Sequence, residues 1–173
     1  MDLDVRGSPL NEIKFHGYFP GVVGMITEVH AVYYHQHWGF DVTFETQVGE
    51  ELSEFIREFQ EDRDGFWVAT KGGRFAGSIV IDGRNVATEG ARLRWFIVIS
   101  DLQGTGIGKA LMNRAVKFCE EKGYRRVYLW TFRGLEAARA VYEQHGFRLC
   151  VEKDVSQWGQ NLKEQMFELS FED

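Results

Sequence analysis

The chain has 173 residues, 44% of them hydrophobic and 14% aromatic, enough for a sizeable core. Its 26 acidic against 20 basic residues leave a net charge of −6. That balance argues against nucleic acid as the main partner, because a phosphate backbone calls for a basic face.

The opening "MDLDVRGSPL" is acidic and lacks the apolar stretch of a signal peptide. No run approaches the ~18 apolar residues of a membrane span. Cys119 and Cys150 show no CxxC or Cys/His ligand spacing, so neither a disulfide nor a metal site is expected. The expected setting is the cytoplasm, with no membrane partner. No repeat or Pro/Ser linker divides the chain, and residues 1–173 read as one domain with a loose start at 1–10.

"NEIKFHGY" (11–18) alternates apolar and polar residues, as a first strand would. Residues 20–40 place Val22, Ile26, Val29 and Tyr33 at helical spacing behind Pro20. Residues 41–60 carry Phe44, Val48, Leu52, Phe55, Ile56 and Phe59, a second amphipathic helix. The period then changes to two. "GFWVAT" (65–70) and "RFAGSIVID" (74–82) flank a "KGGR" turn and predict a hairpin, since Gly-Gly supplies the positive φ of tight turns. "ARLRWFIVIS" (91–100) is nearly all apolar from Trp95 to Ile99, as a central strand should be.

A glycine-rich loop follows and runs into a helix with Ile107, Leu111, Ala115 and Phe118 on one stripe and Gly123 as a stop. A strand (125–132), a helix (135–146) and two closing strands (147–155 and 162–171) complete the chain. The order β-αα-βββ-α-β-α-ββ predicts a mixed α/β domain with a central sheet flanked by helices.

"QGTGIGKAL" (103–111) has Gly104, Gly106 and Gly108 at a helix start, and three anion-binding loops compete for it. A nucleotide P-loop needs glycine five positions before Gly108 and a Ser or Thr after Lys109. Gln103 and Ala110 stand there instead. The G-x-G-x-x-G dinucleotide fingerprint fails from Gly104, where the last position is Lys109, and no acidic residue closes the next strand. The third pattern, [QR]-x-x-G-x-[GA], fits Gln103, Gly106 and Gly108, with a strand before and a helix after. A ligand-free glycine-rich helix start is the bland alternative.

Gln103, Gly106 and Gly108, together with Ala138, Val141, Tyr142, Gly146 and Phe147 in "LEAARAVYEQHGF" (135–147), resemble the GNAT superfamily of N-acetyltransferases. The resemblance covers roughly residues 11–171. Two departures stand out. Leu135 occupies a place where the family often has Asn, and Ser100 replaces a proline after the fourth strand. "RLRWFIV" and "YLWTFRGLEAARAVYEQHGF" look especially like the acetyltransferase half of bacterial fusions with MarR-type regulators. No winged-helix half is expected in this length, so DNA binding does not carry over.

The resemblance implies a GNAT-like acyl-CoA N-acyltransferase fold. Its mostly antiparallel sheet of six or seven strands has about four helices, and the fourth and fifth strands splay apart. It implies acetyl-CoA as cosubstrate, with the pantetheine arm along Phe96, Ile97 and Val98. The pyrophosphate then falls on the amides of Gln103, Gly104, Thr105, Gly106, Ile107, Gly108 and Lys109, and Ala138 faces the cofactor. Small residues there let backbone N–H groups approach two phosphates, and the helix dipole adds positive charge. Tyr142 matches the family tyrosine that protonates the leaving thiolate, and an amide near Val98 would serve the oxyanion. The acceptor is a primary amine on a small molecule or protein.

The general base is open among Glu45, Asp82, Glu89 and several histidines, with water as the other alternative. Glu89 is the candidate the resemblance favours, because some relatives place a base before the fourth strand. The crowded stretch "EVHAVYYHQHWGF" (28–40) reads as a packed helix end or as an acceptor pocket. In the pocket reading Tyr33, Tyr34, His37 and Trp38 hold a cationic amine against aromatic faces. Arg92 and Arg94 alternate on one strand face, and with Arg133 they either meet a substrate carboxylate or pair with local acids, the latter being favoured. A non-catalytic acyl-CoA-binding module is the competing class. Many relatives dimerise, so a homodimer is also open.

Overall fold

The computed structural model describes residues 12–171, and the loose start expected at 1–10 lies outside them. Strand β1 (Ile13–His16) precedes two helices, α1 (Val22–Trp38) and α2 (Val42–Arg57). Strands β2 (Gly65–Lys71), β3 (Arg74–Asp82) and β4 (Ala91–Val98) follow, then α3 (Ile107–Glu121), β5 (Arg126–Phe132) and α4 (Glu136–Gln144). A last hairpin is formed by β6 (Arg148–Gln157) and β7 (Gln160–Ser170). Each element falls within a few residues of its expected range. Among the described residues, no helix is long and apolar enough to cross a membrane.

One seven-stranded sheet runs β1-β2-β3-β4-β5-β7-β6. Every pairing is antiparallel except β4 with β5, which is parallel and lasts for only two residue pairs, Ala91 with Val127 and Arg92 with Tyr128. Beyond Arg92 the two strands part. This is the mostly antiparallel sheet with a splayed centre that the resemblance implied.

The two sheet faces carry separate cores. Ile79, Ile81, Leu93, Leu111, Met112, Ala115, Cys119 and Tyr142 share one cluster beneath α3 and α4. Val22, Ile26, Leu52, Phe55, Val68 and Val80 form the other beneath α1 and α2. In α1 the buried stripe is Val22, Ile26, His30 and Ala31. Val29 and Tyr33, expected on that stripe, are half-buried, because this end of the helix leans on other aromatic rings rather than on the sheet.

Local chemistry fixes the ends. The turn expected at "KGGR" has Gly72 at φ 59° and Gly73 at φ 77°, the positive values of a tight hairpin. The Asp41 side chain caps α2 by accepting from the Thr43 amide at 3.0 Å. An ion-pair network then ties α2 to the sheet. Arg84 reaches Glu58 at 2.8 Å, Glu54 at 3.2 Å and Asp82 at 2.8 Å, while Arg94 joins Asp82 at 3.3 Å and contacts Glu51. These contacts answer the question left open for Arg94: it pairs structurally.

β3 and β4 approach closely where Gly77 faces Val98. A Cβ on Gly77 would lie 2.6 Å from the Ile97 carbonyl oxygen and 3.1 Å from Leu111 Cδ1. Gly77→Ala should therefore destabilise the fold by about 1–3 kcal/mol, the usual cost of overpacking. Urea melts check this, and an unchanged midpoint would contradict the packing described.

Candidate active site

The site begins at the loop between β4 and α3. After β4 the chain makes a 3-10 turn over Ser100–Leu102, and Gln103 Nε2 donates back to the Val98 carbonyl at 3.1 Å. Gly104 and Gly106 have φ of 79° and 92°, and a Cβ on either would meet nothing within 4 Å. Both glycines line the large cavity described below. Helix α3 starts at Ile107, and its first backbone bond runs from the Ala110 amide to the Gly106 carbonyl at 3.0 Å.

The amides of Ile107, Gly108 and Lys109 precede that bond, so they are the unpaired donors found at any helix start. The open side of the loop is thus a concave array of N–H groups with the positive end of α3 behind it. That donor set fits a pyrophosphate. Gln103, Gly104, Gly106, Gly108 and Lys109 line the cavity. Thr105 and Ile107, placed in the same cradle from the sequence, do not. The Thr105 hydroxyl donates to Leu102 O at 2.5 Å, and the Ile107 side chain is buried in the core. The backbone of these two residues shapes the loop, while their side chains face away.

Strand β4 carries a bulge that aims the next part of the site. Trp95 has φ 45°, in the left-handed region, and the β3–β4 register shifts between Ser78 and Val80. Ser78 Oγ donates to the Trp95 carbonyl at 2.8 Å and holds the bulge. In an unbroken strand Phe96 would follow Arg94 onto the α2 face. The extra residue sends it to the other face, where its ring lies 6.0 Å from that of Tyr142. Phe96, Ile97 and Val98 all line the cavity, along the β4 edge that β5 leaves unpaired.

Tyr142 sits in α4 and is 5% exposed. Phe96, Phe147 and Phe167 pack round its ring, with centroids 5.6 to 6.1 Å away. Among the described residues, none hydrogen-bonds its hydroxyl. Burial pushes that phenol well above its ordinary range, so it keeps its proton through neutral pH. Ala138, one turn earlier on α4, also lines the cavity.

The cavity measures about 1120 Å³ and runs from the glycine loop, past Tyr142, to the ends of α1 and α2. It exceeds a typical small-ligand site of ~300–1,000 Å³ and has room for two reactants. Tyr33, Tyr34, His37 and Trp38 line its far end. Tyr34 lies against Phe40, Phe44 and Phe132, and Trp38 packs edge-on to Phe132 at 4.9 Å. Burial raises the Tyr34 phenol, as does its nearness to Tyr142 and Tyr33. The two phenols therefore face one space from opposite helices. Gly134 leaves room for Trp38 on this wall: with φ 115°, a Cβ there would lie 2.2 Å from the Trp38 ring.

Several lining residues are not legible in the sequence, among them three large apolar ones. Trp158 and Leu162 come from the β6–β7 hairpin, and Phe132 from the end of β5. Trp158 Nε1 donates to Gln47 Oε1 at 2.8 Å, pinning the hairpin tip to α2. The Trp-Gly turn, with φ of 55° and 79°, was the available signal for the hairpin. Nothing local says that it folds across 111 residues to reach Gln47.

The candidate bases fare differently. Glu89 is exposed, lies outside the cavity lining, and accepts from the Tyr128 hydroxyl at 3.1 Å. The structure therefore does not bring it to Tyr142. Glu45 also stays outside. At Asp82, burial works to raise the carboxyl, but Arg84 and Arg94 outweigh it and hold it below its ordinary range. His30 does line the cavity, with Nδ1 2.8 Å from Ile26 O. Burial lowers it to about 4 against that bond, so it is a neutral imidazole at pH 7. Among the described residues, no cluster of His, Cys, Asp or Glu could hold a metal ion.

The family model for the acetyltransferase (GNAT) family matches residues 29–147, and the chain belongs to that family. An uncharacterised N-acetyltransferase of Methanocaldococcus jannaschii is 33% identical over 102 residues, 56% of this chain and 43% of that protein. N-acetyltransferase 8 of Rattus norvegicus is 29% identical over 114 residues, 62% of this chain and 51% of that protein. The matched stretch thus spans about half the length of these curated relatives. The fold also matches yncA of Salmonella typhimurium, described as an acetyltransferase and solved with its cofactor acetyl-CoA. There the TM-score is 0.71 at 13% identity, covering 94% of this chain and 96% of that one.

The buried, neutral His30 makes stability depend on pH. Its folded value near 4 lies below the ordinary 6.5, so the unfolded chain binds the extra proton between those values. Stability should be full above pH 6.5 and fall as pH drops toward 4, by up to about 3 kcal/mol from this group. Thermal melts across that range should show a shallower slope for His30→Gln than for the parent protein.

Proposed function

We propose that this chain is an acetyl-CoA-dependent N-acetyltransferase acting on a primary amine of a small molecule or protein. The observation that carries the reading is the placement of Tyr142. Its protonated, otherwise unengaged hydroxyl sits midway along a cavity with a pyrophosphate cradle at one end and an aromatic wall at the other. Acetyl-CoA, when bound, supplies the acetyl group as an activated thioester.

The chain's own residues would do the rest. Amides at the start of α3 and the glycines before it hold the phosphates. The unpaired edge of β4 over Phe96–Val98 offers backbone partners to an extended arm, as a short added strand. Tyr142 keeps a proton at its oxygen for the departing sulfur. Tyr34, Trp38 and Phe132 exclude water and present ring faces to a cationic amine. None of the carboxylates first considered as bases lines the cavity. Glu51, Glu136 and Glu164 do line it, and Glu51 and Glu164 are already paired, with Arg94 and with Lys153. Glu136 and His37, which also line the cavity, are left to take the amine proton, directly or through water. The cytoplasmic setting, a homodimer and the likeness to MarR-linked acetyltransferases belong to the same reading.

Tyr142→Phe tests it. Thiol release from acetyl-CoA with an accepted amine should fall roughly 10²-fold or more, the usual worth of a positioned acid. The thermal shift given by CoA should stay within a degree of the parent protein's. Equal loss of both would make Tyr142 a packing residue. CoA binding without turnover on any amine would make the chain a binding module.

A further inference from the structure

We infer that Arg92 recognises a carboxylate on the acceptor, so that the substrate is an amine carrying both an acid group and an apolar body. The inference rests on the acetyltransferase reading and narrows its acceptor.

Arg92 lines the cavity. Its Nε is shielded from solvent and has no hydrogen-bond partner. Among the described residues, no carboxylate forms an ion pair with its guanidinium. A buried donor without a partner is costly, and natural proteins rarely keep one without a use for it.

The nearby acids are committed elsewhere. Asp82 stands directly opposite Arg92 in the β3–β4 register, yet it is held by Arg84 and Arg94. Glu51 is taken by Arg94, and Glu89 accepts from Tyr128. Glu164 pairs with Lys153 at 3.5 Å and accepts from Gln157 at 3.2 Å. Arg94 is satisfied while its neighbour two residues earlier is not, and the two like charges oppose one another.

Location separates this charge from the cofactor end. Arg92 belongs to the last parallel pair before β4 and β5 part, opposite Tyr128. It lies six residues before Val98, about 20 Å along an extended strand, so the phosphate cradle is out of its reach. Trp95 and Trp130 line the same cavity as Arg92. A guanidinium fork on an apolar floor matches a carboxylate bidentately, and the rings beyond it match a hydrophobic body.

The test uses matched compounds: aromatic and aliphatic L-amino acids, each beside its amide and its decarboxylated amine. Turnover with acetyl-CoA and thermal stabilisation of the CoA-loaded protein are both measured. The acid of at least one set should exceed its two analogues by tenfold or more in kcat/KM and give the larger thermal shift. Arg92→Met should collapse that ratio, mainly through KM, while the thermal shift given by CoA alone persists. Arg92→Lys should restore part of the ratio, as a point charge without the fork. Amides or plain amines that do as well as the acids would overturn the proposal. So would a ratio unchanged in Arg92→Met, or the absence of any response to an acid. Failure of the parent protein to bind CoA would instead sink the acetyltransferase reading.

Discussion

The site depends on one limit: β4 and β5 stay paired for two residues only. Parallel strands that continued together would satisfy each other's backbone groups and leave no gap. Here the bulge at Trp95 on one side, and the rings of Phe132 and Trp38 on the other, hold the strands apart. The opened edges face a single cavity, and α3 and α4 begin or pass beside it. The cavity is thus set by a place where the sheet stops being a sheet.

Two balances keep that opening stable. Antiparallel partners cover the outer edges of both strands, β3 on β4 and β7 on β5, so the gap weakens only the middle of the sheet. The salt-bridge network of Arg84, Arg94, Asp82, Glu51, Glu54 and Glu58 clamps α2 over the β4 side. Half-buried and shared among several partners, such a network resists displacement better than isolated surface pairs do. It also consumes the acids near Arg92, which gives that side chain its distinct position.

Much of this was legible in the sequence because it is local. Gln103, Gly106 and Gly108 report a glycine-rich helix start that opens on the cavity, and Gly-Gly at 72–73 reports its own turn. The aromatic crowd at Tyr33, Tyr34, His37 and Trp38 faces the cavity because a helix end rich in rings has to bury them against something. What could not be read depends on distant pairing. Glu89 looked well placed along the chain, but β4 runs from Glu89 toward the loop, so the residue stands at the opposite end from the phosphate cradle. Trp158 and Gln47 meet only because the β6–β7 hairpin folds over α2. Arg92 and Arg94 are indistinguishable as sequence, and only the ion pairs of Arg94 with Asp82 and Glu51 separate them.

The strand order holds one more consequence. β6 precedes β7 along the chain, yet β7 lies between β5 and β6 in space. β6 therefore has no sheet to join until the strand after it has docked. β6 can join only once β7 has been made, so Trp158 and Leu162 reach the cavity late. The glycine loop before α3 is built from contiguous sequence and needs no such wait. The two halves of the cavity would then mature at different times, the loop end before the wall that Trp158 and Leu162 complete.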